Sequence, residues 1–457
     1  MLIRKGDSHV RVGRFHGLLS GNNLLRTAFT LKLFATLALA TGVPALSQTY
    51  TVLHNFTGGI DGANPEAGLT IDRGGNFYGT AAAGGNPNPD CYLYDQPGCG
   101  VVFRLQQRPS GWLFTTLYQF SGAADGFGPE APVVFGPDGK LYGTTFLGGT
   151  NAGCFFFGTC GTVFSLQPRP TVCSTSNCSW ILKTIYTFPG NPPPGLPSTG
   201  AVIFDNAGNL YGTFIWDGDP SCYEDGPCGG IYELSPANGG WNESTIVNFG
   251  HPTLVGAWPT GGIVMDQSGN LYGALSAIGA VYQASYRNGN WFTSVLHTFS
   301  FDAGGYSPQG GLIMDAVGSL YGTTSSGGLN DVGTVFELQP SAGAWAFSTL
   351  YNFAGNVQNN AGPNADLTMD AAGDLYGTTY KDGAFGYGSV FKLSPSNGQW
   401  TYTSLHDFTG GSDGGYPLSK VVFDSVGHLY GTANVGGSTV GQCNQGLGCG
   451  VVWEITP

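Results

Sequence analysis

The stretch Asp205-Asn-Ala-Gly-Asn-Leu-Tyr-Gly-Thr213 recurs seven times, with small changes, in a chain of 457 residues. Glycine and asparagine before Leu-Tyr indicate a tight turn leading into a strand, because glycine adopts left-handed backbone angles readily and asparagine tolerates them. The tyrosines of the seven copies are Tyr78, Tyr142, Tyr211, Tyr272, Tyr321, Tyr376 and Tyr430. They are 49 to 69 residues apart, and such a period indicates an array of supersecondary units.

Each copy belongs to a unit of four strand-like runs separated by glycine, proline or asparagine turns. The first run is apolar and ends in aspartate, as at 68–72, and the second is the Leu-Tyr-Gly-Thr run. The third reads Gly-Thr-Val-Phe-x-Leu, as at 161–166, and the fourth begins with tryptophan and ends with phenylalanine, as at 112–120. The units therefore predict four-stranded antiparallel sheets.

One run of the fourth type lies apart from the others, at 51–56, before any first strand. The chain ends after a third strand at 451–455, so the last unit lacks the strand that the N-terminal region has to spare. Pairing the two closes a ring and leaves no free sheet edge at either end. The sequence predicts an all-β fold: a seven-bladed β-propeller over 48–457, closed by the N-terminal strand.

The repeating pattern resembles a known family. Asp-x-x-Gly-Asn-Leu-Tyr-Gly-Thr-Thr, Gly-Thr-Val-Phe-x-Leu-x-Pro and Trp-x-x-x-x-Leu-Tyr-x-Phe, in that order, are similar to the Gloeo/Verruco (GloVer) repeat of exported bacterial proteins, over essentially all of 48–457. Copies three and four depart from the pattern in the proline-rich segment 189–197 and at Ala274, which replaces the threonine. The resemblance implies export and a repeat fold, but no particular reaction.

Residues 1–47 have the features of a signal peptide with an extended basic region. Six basic residues precede the apolar run 33–43, and Ala45-Leu46-Ser47 offers small residues for cleavage before Gln48. Removing this segment takes away those six and Asp7, which leaves 10 basic and 28 acidic residues, a net charge of −18. We expect a secreted or cell-surface protein, not inserted in the membrane after cleavage. Such an acidic chain repels nucleic acids and anionic lipid.

All ten cysteines lie after residue 47, in five close pairs. The pairs are Cys91 with Cys99, Cys154 with Cys160, Cys173 with Cys178, Cys222 with Cys228, and Cys443 with Cys449. An even number in an exported chain favours local disulfides. Zinc is the alternative, but His54, His297 and His406 occupy a repeat position that holds tyrosine in other units. Four pairs fall in second-to-third loops of units one, two, three and seven, so we expect one arc of that face to carry long, cross-linked loops.

One loop within this arc combines carboxylates with aromatic rings. Its residues are Trp216, Asp217, Asp219, Tyr223, Glu224 and Asp225. Carboxylates can hold Ca²⁺ and aromatic faces can stack on sugars. The loop departs from the calcium-hand template, because Cys222 stands where that template has glycine. Two interpretations stay open: a solvated acidic loop, or a ligand site in which Ca²⁺ is the one metal to consider.

Aspartates recur at two further places. They follow the fourth strands (Asp61, Asp125, Asp302, Asp413) and end the first strands (Asp72, Asp205, Asp266, Asp315, Asp370, Asp424). Recurrence predicts turn-forming aspartates that bond the backbone two residues on, with a ring of calcium sites as the alternative. No catalytic motif is present, and after residue 47 only His251 and His428 remain outside the tyrosine position. Paired carboxylates leave no spacing signal and stay open.

These observations predict a non-enzymatic binding or scaffolding propeller. The face with the disulfide-linked loops would engage an extracellular glycan or protein through aromatic and carboxylate side chains. The alternative is an exported hydrolase or lyase acting on polysaccharide, with carboxylates at the mouth of the central channel. A purely structural surface protein is a third hypothesis.

Overall fold

The computed structural model describes residues 48–93, 96–150, 160–169, 180–189, 195–215, 229–249, 258–301, 304–355, 361–437 and 443–457. Seven four-stranded antiparallel sheets form the blades of a β-propeller, as the repeats predict. We number the blades 1 to 7 by the order of their second strands. No helix in the described residues is both long and apolar enough to cross a membrane.

The four strand positions have characteristic lengths. The first strands are Thr70–Ile71, Val134–Phe135, Ile203–Phe204, Val264–Met265, Ile313–Met314, Thr368–Met369 and Val422–Phe423. The second strands are Phe77–Ala81, Leu141–Thr145, Leu210–Phe214, Leu271–Leu275, Leu320–Thr324, Leu375–Thr379 and Leu429–Ala433. The third strands are Val101–Arg108, Thr162–Gln167, Gly230–Ala237, Ala280–Arg287, Thr334–Ser341, Ser389–Ser396 and Val451–Thr456. The fourth strands are Gly111–Gln119, Ile181–Thr187, Gly240–Asn248, Asn290–Thr298, Ala344–Asn352, Gln399–Asp407 and, in blade 7, Thr49–Asn55. A short hairpin, Tyr92–Leu93 with Gln96–Pro97, and a 3₁₀ turn, Asn444–Gly446, lie in second-to-third loops.

The ring closes as the leftover strands predict. Thr49–Asn55 pairs antiparallel with Val451–Thr456, and Val52 lies opposite Trp453. The N-terminal strand is therefore the outer strand of blade 7. The first strands are shorter than predicted, two residues instead of five, because the residues before them line the propeller axis and the aspartates after them cap the hairpin.

The buried second strands explain the glycine of the recurring Leu-Tyr-Gly-Thr motif. All five residues of Phe77–Ala81 are buried, and Gly79 pairs with Phe103 of the third strand. A Cβ on Gly79 would lie 2.5 Å from the ring of Phe103, too close for any other residue. Glycine in mid-strand usually weakens a sheet, but here an aromatic side chain from the next strand covers it.

The threonine of the motif connects neighbouring blades near the axis. Thr80 Oγ1 donates to the carbonyl of Ala131 in the next blade at 3.1 Å, and Thr378 Oγ1 donates to Ser419 O at 3.0 Å. The same bond closes the ring, where Thr432 Oγ1 donates to Ala67 O at 3.1 Å. Ala274, the departure in copy four, has no hydroxyl for this bond.

Candidate functional site

A cavity of about 310 Å³ lies on the axis of the propeller. Its wall repeats a single sequence position, the residue four before each first strand. We call this set the axial ring: Glu66, Glu130, Thr199, Thr260, Gln309, Asn364 and Leu418. Seven copies of one position converge because the closed ring brings the start of every first strand to the same axis.

The cavity lies on the side of the second-to-third loops. The residues that lead into the axial ring pair with residues just after the second strands, as in the bridges between Ala63 and Ala83 and between Gly415 and Val435. Thr199 is exposed, so the cavity communicates with solvent. The site therefore shares a face with the loops that carry the disulfides.

Charge is distributed unevenly around the cavity. Glu66 and Glu130 come from blades 1 and 2, whereas Asp366 and Lys420, two residues before their first strands, come from blades 6 and 7. Blades 3 to 5 contribute Thr199, Thr260 and Gln309, whose polar groups are uncharged. The charged side thus overlaps in blades 7, 1 and 2 with the arc of cysteine-bearing loops.

Hydrogen bonds between side chains and backbone groups join neighbouring blades along this wall. Thr199 Oγ1 donates to Thr260 O at 3.2 Å, and Thr260 Oγ1 donates to Gln309 O at 3.0 Å. The amide N–H of Gly311 donates to Asp366 Oδ1 at 2.5 Å. Because these bonds join successive blades, the lining groups are held in place without a ligand.

Glu66 differs chemically from an ordinary surface carboxylate. Burial raises the pKa of Glu66 to about 7, although a hydrogen bond with Asn434 favours its ionised form. Glu130 beside it in the ring is 5% exposed. The Oδ1 atom of Asn364 is buried and has no hydrogen-bond partner within the described part of the chain. A neutral carboxyl group donates a hydrogen bond and the amide oxygen accepts one, so a ligand hydroxyl could satisfy either.

The acidic loop predicted as a binding site lies outside the described residues. This applies to all six of its side chains, Trp216, Asp217, Asp219, Tyr223, Glu224 and Asp225. The binding role of this loop therefore stays a prediction.

The disulfide predictions are confirmed where the structure describes both cysteines. Cys91 is bonded to Cys99, and Cys443 is bonded to Cys449. Cys160 is also disulfide-bonded, and Cys154 lies outside the described residues. The other four cysteines, forming the predicted pairs Cys173 with Cys178 and Cys222 with Cys228, lie outside the described residues as well. Those two pairings stay predictions.

The two described disulfides fasten loops against their neighbours. Gly58, with a φ of +76°, turns the chain after the outer strand of blade 7, and a Cβ there would lie 2.6 Å from Cys443 Sγ. Gly122 has the same relation to Cys91 Sγ, at 2.3 Å. Each disulfide therefore packs a second-to-third loop onto the following fourth-to-first loop, which restrains that face.

The recurring aspartates that the structure describes form turns, and Asp302 lies outside the described residues. Asp72 accepts the amide of Gly74 at 2.8 Å, two residues on as predicted, and the hydroxyl of Tyr78 at 3.0 Å. Asp61 instead accepts bonds from Thr57, four residues back, and is 3.2 Å from His54 Nε2. Across the described residues, no group of three or more His, Cys, Asp or Glu side chains could hold a metal ion.

The described histidines lie in outer parts of the blades, and His251 lies outside the described residues. His406 lies 3.1 Å from Asp413 and stacks on Tyr50 of blade 7 with ring centroids 3.8 Å apart. In blade 1, Tyr118 occupies the equivalent repeat position, and its hydroxyl donates a hydrogen bond to Asp125. His428 contacts Glu454 at 3.1 Å at the first-to-second hairpin, away from the second-to-third loops. None of these residues lines the cavity.

Sequence reasoning missed the axial ring. A usable signal was present: four residues before each first strand, the repeat holds Glu, Glu, Thr, Thr, Gln, Asn and Leu. Three residues further on lies a buried apolar side chain that begins the strand region, for example Leu69 after Glu66. A polar position that varies between otherwise similar copies is typical of a surface that binds, because packing does not determine it.

Comparison with known proteins supports the repeat assignment. The family model for the Gloeobacter/Verrucomicrobia repeat matches residues 42–176, 93–284 and 276–457. A search of curated proteins gave no match. The chain is similar in fold to virginiamycin B lyase from Staphylococcus aureus, with 14% identity, 90% of this chain and 99% of that chain covered, and a TM-score of 0.49.

Two further solved structures are similar at the same level. PorZ, a bacterial surface component of the type-IX secretion system of Porphyromonas gingivalis, has 13% identity, with 86% of this chain and 46% of that chain covered and a TM-score of 0.48. A glucose dehydrogenase-like oxidoreductase from Thermus thermophilus has 15% identity, with 90% and 100% covered and a TM-score of 0.40. Likeness at this level carries no argument about activity.

Proposed function

Because the chain belongs to the Gloeobacter/Verrucomicrobia repeat family and folds as a closed propeller, its function must be sought in its own side chains, and we propose that it is an exported, non-enzymatic glycan-binding protein. The axial cavity would receive the end or a side branch of an extracellular glycan. The observation that carries the proposal is the axial ring, in which six of seven positions are polar.

The lining suits a sugar in both chemistry and size. Carboxylate, amide and hydroxyl groups face one space, and such groups can pair with the hydroxyls of a sugar in both donor and acceptor roles. The volume of about 310 Å³ is at the small end of ligand sites, which run from about 300 to 1,000 Å³. A concave site of that size favours a small polar ligand over a flat protein surface.

The cross-linked loops would extend this site outward. Cys91–Cys99 and Cys443–Cys449 restrain loops of blades 1 and 7 on the face where the cavity lies. The loop with Trp216, Asp217 and Tyr223 belongs to the same predicted arc and remains a proposed contact for the remainder of a glycan. Disulfides also fit export, with residues 1–47 as the proposed signal peptide.

Glycan-array screening of residues 48–457, followed by calorimetry, tests this proposal. Glu66→Gln and Gln309→Leu should each weaken binding by about tenfold, equivalent to about 1.4 kcal/mol. Glu337→Gln is the matched control, because Glu337 accepts a bond from Tyr321 at the opposite end of a blade. Absence of any glycan ligand, or equal binding by all three variants, would reject the axial site and leave a structural role.

One observation favours an enzyme as the second candidate. Glu66, with its pKa raised to about 7, lines the same cavity as Glu130 and Asp366, and a protonated acid beside carboxylates is the arrangement used in glycoside cleavage. Incubation with bound glycans, with release of new sugar ends as the readout, separates the two hypotheses. If the wild-type protein cleaves the glycan and Glu66→Gln does not, the protein is a hydrolase or lyase and not a binding protein alone.

A further inference from the structure

Three tyrosines and a lysine form a cluster at the junction of blades 6 and 7. The ring centroids of Tyr380 and Tyr416 are 5.1 Å apart, and those of Tyr387 and Tyr416 are 5.3 Å apart. The Lys381 ammonium lies 4.9 Å from the centroid of Tyr380 and 5.5 Å from that of Tyr416. All four side chains are partly exposed, so the cluster is accessible from solvent. We call it the tyrosine–lysine cluster.

The backbone of Tyr416 is held in an unfavourable conformation. Its φ is +53°, in the left-handed region that a bulky side chain seldom occupies. The corresponding residues of blades 1, 2 and 5 have the same left-handed φ, but they are Asn64, Gly128 and Ser307. The turn therefore needs this backbone angle, yet blade 7 places an aromatic ring there. Such strain at a partly exposed position is a reason to look for a function of the ring.

The cluster adjoins the axial cavity. Tyr416 O accepts the amide of Asn434 at 3.4 Å, and the Asn434 side chain hydrogen-bonds Glu66, which lines the cavity. The Glu66 carboxylate is also close enough to act electrostatically on the Tyr380 hydroxyl. Tyr380 and Tyr416 therefore lie next to the Glu66 side of the cavity, and we call this position its rim.

The positive charges beside this rim are not neutralised by ion pairs. Only 10 basic residues follow residue 47, against 28 acidic ones. Within the described part of the chain, Lys140 and Lys392 pair with Asp138 and Asp374, whereas Lys381 and Lys420 form no ion pair. Lys420 lines the cavity, and Lys381 lies against the rings of Tyr380 and Tyr416 at its rim.

We propose that the tyrosine–lysine cluster binds an anionic substituent on the glycan, with Lys381 pairing the anion and the faces of Tyr380 and Tyr416 contacting the sugar ring that bears it. This rests on the proposed glycan function and adds the ligand class. The anion is a uronate carboxylate or a sulfate ester, and both present oxygen atoms to an ammonium group. Aromatic rings add apolar contact to the sugar face and stabilise the ammonium.

Calorimetry with three glycans of equal length tests the proposal: a uronate oligosaccharide, a sulfated one and a neutral one. We expect the wild-type protein to bind one anionic form about tenfold or more tightly than the neutral form. Lys381→Gln should lower the affinity for the anionic form to that for the neutral form. Added salt should weaken the anionic form selectively, because an exposed ion pair is screened.

Tyr416→Asn provides a variant that retains the fold. Asn64 has the same backbone angle at the equivalent position, so the variant should melt at the wild-type temperature or above, while its affinity for the anionic form falls about tenfold. Equal affinity of the wild-type protein for all three glycans would overturn the proposal but not glycan binding. Wild-type affinity for the anionic form in Tyr416→Asn and Lys381→Gln would do the same. Absence of binding by every glycan would overturn both.

Discussion

Tyr282 and Tyr232 place hydroxyl groups where the corresponding side chains of other blades have none. Both lie opposite the motif glycine of their blade, and both are fully buried. Their hydroxyl oxygens have no hydrogen-bond partner in the described part of the chain. The equivalent residues are Phe103, Phe164, Phe336 and Phe391, and Trp453 in blade 7. The packing at this position needs an aromatic ring and makes no use of the hydroxyl.

Replacing Tyr282 with phenylalanine should therefore stabilise the protein. Removing an unsatisfied buried hydroxyl should raise the free energy of unfolding by about 1 kcal/mol or more, as measured by denaturant titration. Phe336→Tyr is the reverse variant and should destabilise blade 5 by a similar amount. A lower free energy of unfolding in Tyr282→Phe would show instead that the hydroxyl forms a stabilising hydrogen bond.

His406 should make stability depend on pH. Burial lowers the pKa of His406 below its usual 6.5, although Asp413 opposes the shift. The unfolded chain then binds more protons just below pH 6.5, so this contribution to stability is complete above 6.5 and is lost as the pH falls from 6.5 towards the folded-state pKa. Solvent reaches part of the ring, which keeps the effect below about 1 kcal/mol.

His406→Tyr should reduce this loss between pH 7.5 and 5.5. Tyrosine occupies the same repeat position at Tyr118, where its hydroxyl donates to Asp125 at 3.0 Å. Thermal unfolding of the two proteins across this pH range measures the difference. Parallel curves for wild type and His406→Tyr would show that His406 does not contribute.

Among structural elements, the second-to-third loops cover the glycine that follows the fourth strand in two different ways. Cys443 and Cys449 cover Gly58 at the end of blade 7, whereas in blade 6 Tyr387 covers the equivalent Gly410, where an added Cβ would lie only 2.4 Å from the tyrosine ring. A disulfide and an aromatic ring therefore fill the equivalent space beside this glycine. This explains why a blade without cysteines can keep the same arrangement of loops.

Removing the blade 7 disulfide should weaken its loop without changing the fold. Cys443→Ser with Cys449→Ser opens a loop of sequence separation 6, and loop-closure entropy for so short a loop contributes about 2 kcal/mol. We expect a drop of that order in unfolding free energy and faster amide exchange around Gly58. A drop equal to that of a core cavity, with global loss of protection, would contradict a local role.

The second, third and fourth strands could be predicted closely from the sequence, but the first strands could not. The second strand Leu210–Phe214 contains the Leu-Tyr-Gly-Thr part of the recurring stretch, and the fourth strand Gly111–Gln119 begins within one residue of Trp112. The predicted first strand at 68–72 is reduced to Thr70–Ile71. Apolar periodicity does not reveal where a ladder ends when the neighbouring residues leave it to line a cavity.

At the scale of the whole molecule, the candidate site forms because the seven blades close into a ring. The sequence predicted which face carries the cross-linked loops, because loop length and cysteine spacing are local. It did not predict that Glu66, Asn364 and Lys420 share one cavity. Glu66 and Lys420 are hundreds of residues apart, and only the meeting of all seven blades at one axis brings them together.

Closure also makes the propeller depend on its first described strand. Phe56 is fully buried and packs near Phe103 of blade 1, and its amide donates to Gly450 O at 3.0 Å. Deleting residues 48–56 would expose the edge of Val451–Thr456 and leave a hole where Phe56 packs. Loss of one buried phenylalanine side chain alone costs about 3 to 5 kcal/mol, so we expect a large fall in melting temperature.

A peptide of residues 48–57, added to the deletion variant, should restore much of this stability by adding the missing strand to the exposed edge. Leu53→Asp and Phe56→Ala in the same peptide form the control, because both side chains pack against the interior between blades 7 and 1. Thermal unfolding at increasing peptide concentration measures the effect, since a ligand of the folded state raises the melting temperature. A deletion variant that melts like the full propeller and ignores the peptide would show that the pairing of Val52 with Trp453 does not hold the ring closed.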